Sequence, residues 1–277
     1  MADRRTAADL TDTRRARWPA RVGHYLWSGW TGAASVLLLV AAWDALARQL
    51  GPLVLPTPQE TLASLTQILR SPAAWLDLGA TARRALYGYG LSVLAGAVLG
   101  MAAGASITAT MMARPLVTLL IGMPPIAWLV LALLWFGSGD ATPVFTVFVA
   151  CFPIIFVGAL QGTRTLDGRL RELAQAYRLP LTQRFADVYL PHIASYLFAA
   201  CITALGVSWK VVLMAELLAT SDGAGAQLAA TRSHLDMGGT LAWVSAVVGL
   251  LLAAEYLLLE PIRREMERWR ADGGGAA

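Results

Sequence analysis

Charged side chains are scarce in this chain, and those typical of catalysis or metal binding are scarcer still. Only 14% of the 277 residues are charged, with two cysteines and three histidines, whereas soluble domains carry roughly 25% charged residues. Both cysteines, Cys151 and Cys201, lie within apolar runs, which excludes a disulfide framework and a CxxC metal or redox site. The histidines lack ligand spacing, and no nucleophile and base form a recognisable arrangement. We therefore expect no catalytic residues and no metal site.

The chain contains a single lysine, which limits its nucleotide chemistry. A Walker A loop needs a glycine-rich stretch that ends in lysine, and Lys210 lies in VSWKVV, where those glycines are missing. The chain cannot bind ATP in that way, so we expect it to hold no cofactor of its own. Any ATP and Mg would belong to a separate ATPase partner, and the chain itself is not expected to be an enzyme.

Apolar sequence is abundant, at 57% of the residues. About 20 apolar residues in a helix cross a bilayer core of roughly 30 Å, and the chain has several such windows in succession. The arginines stand beside apolar runs and are not interleaved with aromatics, so no nucleic-acid partner is expected. We predict an all-α integral membrane protein with six transmembrane helices, at about 27–47, 86–108, 115–136, 141–163, 193–213 and 241–259.

Arginine placement predicts the orientation of these spans. Six spans put both termini on one side, and with the amino terminus inside, 16 basic residues face inward and 6 outward. The positive-inside rule favours that topology. Residues 1–26 then form a cytoplasmic tail, without the h-region and cleavage site of a signal peptide. Residues 27–262 form the transmembrane domain, and 263–277 form a second cytoplasmic tail.

The predicted cytoplasmic segment between spans four and five reads ELAQAYRLPLTQRFADVYLP, residues 172–191. Pro180 disfavours helical geometry at the preceding residue, so the pattern predicts a short helix, a bend and a second helix that stops at Pro191. Three interpretations compete for this segment. It is a solvated loop, an interfacial helix on lipid headgroups, or a docking element that inserts into a groove of a soluble partner.

This segment resembles the EAA loop of binding-protein-dependent ABC importer permeases. LPTPQETLASL, LGATARRALYGYGLSVLAGAVLG, GMPPIAWLVLALLWFGSGD and SWKVVLMAELLA are similar to the nitrate, sulfonate and taurine branch of that family. Pro180 offers a helix break near the position where the family has a glycine. The corresponding loop positions are Glu172, Leu173 and Ala174 at E-A-A, Arg178 at the glycine, Phe185 at the aromatic or aliphatic position, and Leu190 and Pro191 at the terminal L-P.

The resemblance implies a mechanism and a set of partners. Two permease copies would form the pathway in a bacterial inner membrane, in contact with membrane lipid, and each EAA loop would act as a coupling helix on one of two cytoplasmic ABC ATPase subunits. A solute-binding protein would deliver solute from outside. ATP-driven closure of the ATPases would pass through the loops as a rigid-body shift. On this resemblance Glu172 and Ala174 carry the coupling, and Pro191 fixes the return into the fifth span.

A few residues within the spans are candidates for the transport pathway. Pro124 and Pro125 bend the third span, and such bends are tolerated where an aqueous cavity or neighbouring helices repair the lost hydrogen bonds. Lys210 either attracts an anionic solute or reaches the interface or a carboxylate elsewhere. Glu216 either braces the external loop or lines the pathway, and Trp209 either lines a cavity or anchors the span at an interface.

The second span carries Gly96, Gly100 and Gly104 at four-residue spacing. Such a stripe lets another helix approach closely in lipid, and we interpret it as helix packing and not as a transport element.

The predicted function is therefore that of an ABC importer permease for a small anion of the nitrate, sulfonate or taurine type. One alternative is an ion-coupled secondary transporter, which normally needs ionisable groups at mid-membrane. Another is the same permease role for a vitamin precursor.

Overall fold

The structure of the protein, a computed structural model, describes residues 17–165 and 189–259 together with Ala176, Tyr177, Pro180 and Gln183. The described part of the chain is helical, which confirms the all-α prediction. Its elements are α1 Arg17–Leu50, α2 Pro58–Arg70, α3 Pro72–Gly104, α4 Ile107–Gly122, α5 Pro125–Phe136, α6 Ala141–Arg164, α7 Leu190–Ala219, α8 Ala224–Ser233, α9 Met237–Ala254 and a π-helical turn Glu255–Leu259.

The chain divides into two compact units, Met1–Leu62 and Ala63–Ala277. In the first unit, α2 begins with a capping box. Glu60 N donates to Thr57 Oγ1 over 3.2 Å, and Thr57 N donates to Glu60 Oε2 over 2.9 Å, as the spacing of these residues predicts. The box satisfies two backbone donors that the first helical turn would otherwise leave unpaired.

In the described part of the chain, four helices are long and apolar enough to cross a membrane: Pro72–Gly104, Ala141–Arg164, Leu190–Ala219 and Met237–Leu257. The pair α4 and α5 adds a fifth if the two are one broken span. The predicted first span lies within the single helix α1. A multi-pass helical membrane protein follows from these elements, while the number of six spans stays a prediction.

The predicted third span, about 115–136, is not one helix. It is two, and their axes differ by 91°. Met123 and Pro124 both adopt extended ψ angles, 123° and 139°, between the two helices. A proline disfavours helical geometry in the residue before it and cannot donate a hydrogen bond, so two consecutive prolines break the helix where one would only bend it.

The second predicted span, about 86–108, corresponds to the much longer helix α3. Pro72 begins α3 at a position where a missing N–H costs nothing, and no helix breaker intervenes before the apolar run. The polar residues up to Arg84 are therefore part of the same helix as the span. This places Arg83 and Arg84 on a rigid element, whereas the sequence pattern suggested a connecting segment.

Helix α6 is central to the second unit, with α3 packed along one side and α7 along another. The glycines of α3 face α6: a Cβ at Gly96 would lie 2.9 Å from Ile155 Cβ, and one at Gly104 would lie 2.7 Å from Thr163 Cβ. Ser92 continues the same stripe and donates to Phe148 O over 2.9 Å. On the other side of α6, a Cβ at Gly158 would lie 2.5 Å from Ala200 Cβ. Small residues thus permit close approach at both interfaces, as expected for helices that associate in lipid.

Candidate functional site

The most highly connected polar group in the described structure is the guanidinium of Arg84, which is only 1% exposed. Its Nη1 donates to Glu216 Oε1 over 2.7 Å and to the carbonyl oxygen of Asp222 over 2.9 Å. Its Nη2 donates to Asp222 Oδ1 over 2.8 Å and also to Asp140, and its Nε donates to Asp140 Oδ1 over 2.7 Å. All five N–H donors of an arginine are accounted for in this way. We call Arg84, Asp140, Glu216 and Asp222 the Arg84 cluster.

Glu216 is the fully buried carboxylate of the cluster, at 0% exposure. Besides Arg84, it accepts hydrogen bonds from Thr81 Oγ1 over 2.7 Å and from Gly225 N over 3.0 Å. The Thr81 hydroxyl in turn accepts from Ala224 N over 2.8 Å. A buried charge is tolerated when it is paired and its lone pairs are occupied, and both conditions are met here.

The turn between α7 and α8 is also held to α3 by Asp77. Asp77, one helical turn before Thr81, accepts from Gly223 N over 2.9 Å and from Gln227 Nε2 over 2.9 Å. Gly223 has a φ of 100°, and a Cβ there would lie 2.6 Å from Glu216 Oε1. Only glycine therefore fits at this position, for reasons of both backbone conformation and space.

The exposed carboxylates of the cluster are Asp222 in the turn after α7 and Asp140 at the start of α6. Asp140 is half exposed and accepts hydrogen bonds from both Arg84 and Arg83. Nη2 of Arg83 lies 2.5 Å from Asp140 Oδ2. The hydrogen bond from Arg84 lowers the pKa of Asp140 below its ordinary value, and the charges of both arginines add to this effect. Asp140 therefore stays ionised, and the start of α6 stays tied to α3, at any pH near neutrality.

The Arg84 cluster joins three helices and a turn, and its groups are occupied by one another. Among the residues that the structure describes, no three His, Cys, Asp or Glu side chains are placed to hold a metal ion. The arrangement therefore acts as a cross-link at the end of the bundle where α3 begins and α7 ends, which is the predicted outer end.

Sequence reasoning singled out Glu216 but missed its partner Arg84. One signal in the sequence points to such a partner: an ionisable residue within a span, such as Glu216, needs an oppositely charged group nearby. The paired arginines of ATARRALYG directly precede the second apolar run, where basic residues are also typical of topology signals. Glu216 contacts α3 through Thr81 and the start of α8 through Gly225, while both predicted roles for it stay predictions.

The other pathway candidates are placed apart from this cluster. Lys210 is exposed and has no hydrogen bond or ion pair within the described ranges. Trp209 is packed in the core at 2% exposure, and its indole nitrogen finds no partner there. Pro124 lines a cavity of about 1150 Å³, and Pro125 begins α5. The structure does not bring these residues together into one site.

Most of the predicted coupling loop lies outside the described residues. This applies to Glu172, Leu173, Ala174, Arg178 and Phe185. Pro180 is described and exposed, and Leu190 and Pro191 form the first turn of α7. The loop therefore connects the end of α6 at Arg164 with the start of α7 at Leu190.

These features define a class of protein: a multi-pass bundle of apolar helices whose buried charges are mutually paired. Within that class, the chain belongs to the family described as binding-protein-dependent transport system inner membrane component, whose model matches residues 73–264. This confirms the family resemblance, and the chain is a transport permease component.

Several proteins of this kind are similar to the chain over most of its length. The taurine transport system permease protein TauC of Escherichia coli K12 is 28% identical over 246 residues, covering 87% of this chain and 89% of that protein. The putative aliphatic sulfonates transport permease protein SsuC of Bacillus subtilis 168 is 26% identical, covering 87% and 88%. The nitrate import permease protein NrtB of Leptolyngbya laminosa is 24% identical, covering 79% and 83%.

Proposed function

We propose that this chain is the permease subunit of an ATP-driven importer in a bacterial inner membrane, and that its solute is a small anion of the sulfonate or nitrate type. The observation that carries this proposal is the near full-length similarity to permeases named for taurine, aliphatic sulfonates and nitrate. All three solutes carry an anionic group with several oxygen atoms. Lys210, exposed on α7 without a partner in the described part of the chain, is a candidate for attracting such a group by charge.

The proposed complex contains two copies of this chain, two cytoplasmic ATPase subunits that hold ATP and Mg, and an extracytoplasmic solute-binding protein. The path from the ATPase into the membrane runs through the loop between α6 and α7. These two helices pack closely along each other at Gly158 and Gly162. A displacement of the loop would therefore move two packed helices together, and packed interfaces respond by discrete rigid-body shifts and not by continuous deformation.

The function is tested by reconstituting the permease with its ATPase and binding protein into liposomes and measuring uptake of labelled taurine, an alkanesulfonate and nitrate. Uptake of at least one anion is expected, and only with ATP. Uptake driven by a proton or sodium gradient without ATP would contradict the proposal and favour a secondary transporter. Uptake of a vitamin precursor in place of all three anions would contradict the substrate class alone.

The coupling role of the loop is tested by Glu172→Arg. If residues 172–191 dock into the ATPase, charge reversal at the first position of the motif is expected to weaken co-purification of the ATPase at least tenfold, which corresponds to about 1.4 kcal/mol. The control is Gln59→Arg, which adds the same side chain to α2 on the predicted outer side. Equal ATPase recovery from both variants would show that the loop does not bind the ATPase.

A further inference from the structure

Two adjacent cavities lie along α4 and α6, and they differ in chemistry. The smaller, of about 370 Å³, has Arg114, Arg164 and Gln161 in its wall. The larger, of about 1150 Å³, is lined almost entirely by apolar side chains. Both are lined by Ala113, Val117, Thr118 and Phe156, so the two cavities adjoin each other. We call the pair the α4–α6 groove.

The basic end of the groove holds two arginines that have no acidic partner among the described residues. Arg114 lies in α4 and Arg164 ends α6, both are exposed, and neither makes a hydrogen bond or ion pair within the described ranges. No aspartate or glutamate is among the described residues that line this end. Two guanidiniums on neighbouring helices repel each other unless an anion lies between them, and oxygen-rich anions such as phosphate match their donor geometry.

Along α4 the lining of the apolar cavity runs from Ala109 to Gly122, and the part beyond Arg114 approaches the length of one lipid leaflet. Eight residues separate Arg114 from Gly122, which at 1.5 Å per residue is about 12 Å along α4. Half of a bilayer core is roughly 15 Å. Beyond Gly122 the chain turns by 91° into α5, and Pro124 and Trp128 line the cavity there. Leu116 and Leu119 of the wall are more than 60% exposed.

We propose that the α4–α6 groove binds an anionic phospholipid, with its phosphate between Arg114 and Arg164 and an acyl chain along the apolar wall of α4. A phospholipid would pair with the two arginines through its phosphate and cover the apolar wall with its acyl chain. A free inorganic anion would occupy only the basic end and leave the apolar wall unfilled. A second copy of the chain packed with its own basic end against this one would bring four arginines toward one another, which costs free energy. The proposal is independent of the solute that the permease carries.

The test is native mass spectrometry of the complete chain in detergent, with phosphatidylglycerol or phosphatidylcholine of identical acyl chains. We expect retention of phosphatidylglycerol in preference to phosphatidylcholine. Each interfacial arginine contributes about 1 kcal/mol toward an anionic lipid. Arg114→Gln or Arg164→Gln should therefore weaken binding about fivefold, and the double variant about thirtyfold. The double lysine variant, which keeps the charge, should retain most of the binding.

Arg232→Gln is the matched control, because it removes an exposed arginine from the end of α8, outside the groove. Equal lipid retention in the control and in the double glutamine variant would overturn the proposal. So would equal binding of the two lipids by the unaltered chain. Displacement of the lipid by millimolar inorganic phosphate alone would assign the site to a free anion. Disulfide-linked dimers of an Ala113→Cys variant would show that a second copy occupies the groove.

Discussion

Replacement of Arg84 by glutamine is expected to lower the free energy of unfolding by about 3–5 kcal/mol, because it leaves Glu216 buried without its counter-charge. Glu216 of α7 is fully buried against Arg84 and Thr81 of α3, so water cannot take the place of the guanidinium. The loss should be measurable as unfolding at a lower fraction of SDS in mixed micelles. In cells, it should appear as a reduced yield of folded permease.

The control for this prediction is Arg83→Gln, one residue away on the same helix. Within the described ranges Arg83 pairs only with Asp140, and both side chains are 52% exposed, so its loss should cost no more than about 1 kcal/mol. A second comparison is the double variant Arg84→Leu and Glu216→Leu, which removes both buried charges and should regain a large part of the stability. Equal destabilisation by Arg83→Gln and Arg84→Gln would show that the cluster does not stabilise the bundle.

Replacement of Gly100 by alanine is expected to destabilise the contact between α3 and α6 by about 1–3 kcal/mol, the usual cost of forcing an extra methyl group into a packed interface. The new Cβ would meet Phe156 O and would lie 2.8 Å from Ala159 Cβ. Relief requires the two helices to separate, because the first obstacle is backbone. The same SDS titration measures the effect.

Gly90→Ala is the matched control within the same helix, since a Cβ there would have no neighbour within 4 Å. Its stability should be unchanged or slightly raised, because alanine is a better helix former than glycine. If the two alanine variants unfolded alike, close packing of the glycine stripe would not contribute to stability. A loss confined to Gly100→Ala would support the interpretation of the stripe as a packing surface.

Local features of the sequence predicted local features of the structure well. Thr57 and Glu60 form the capping box that their spacing indicates. The glycine stripe of α3 packs against another helix, as four-residue spacing of small residues suggests. The double proline interrupts the third apolar run, but the sequence pattern underestimated the result. Proline chemistry locates a break, whereas the 91° angle depends on what packs against the two resulting helices.

The sequence by itself determined the helical membrane class, the family and the position of the main helix break, because apolar runs, motif spacing and proline act over a few residues. Only the tertiary structure decided that Arg84 is the partner of Glu216, 132 positions away, and that Arg114 and Arg164 share one cavity. A buried charge requires a partner, but the requirement does not say which one. That choice depends on the rotation of each helix about its axis, which is set by packing between residues far apart in the chain.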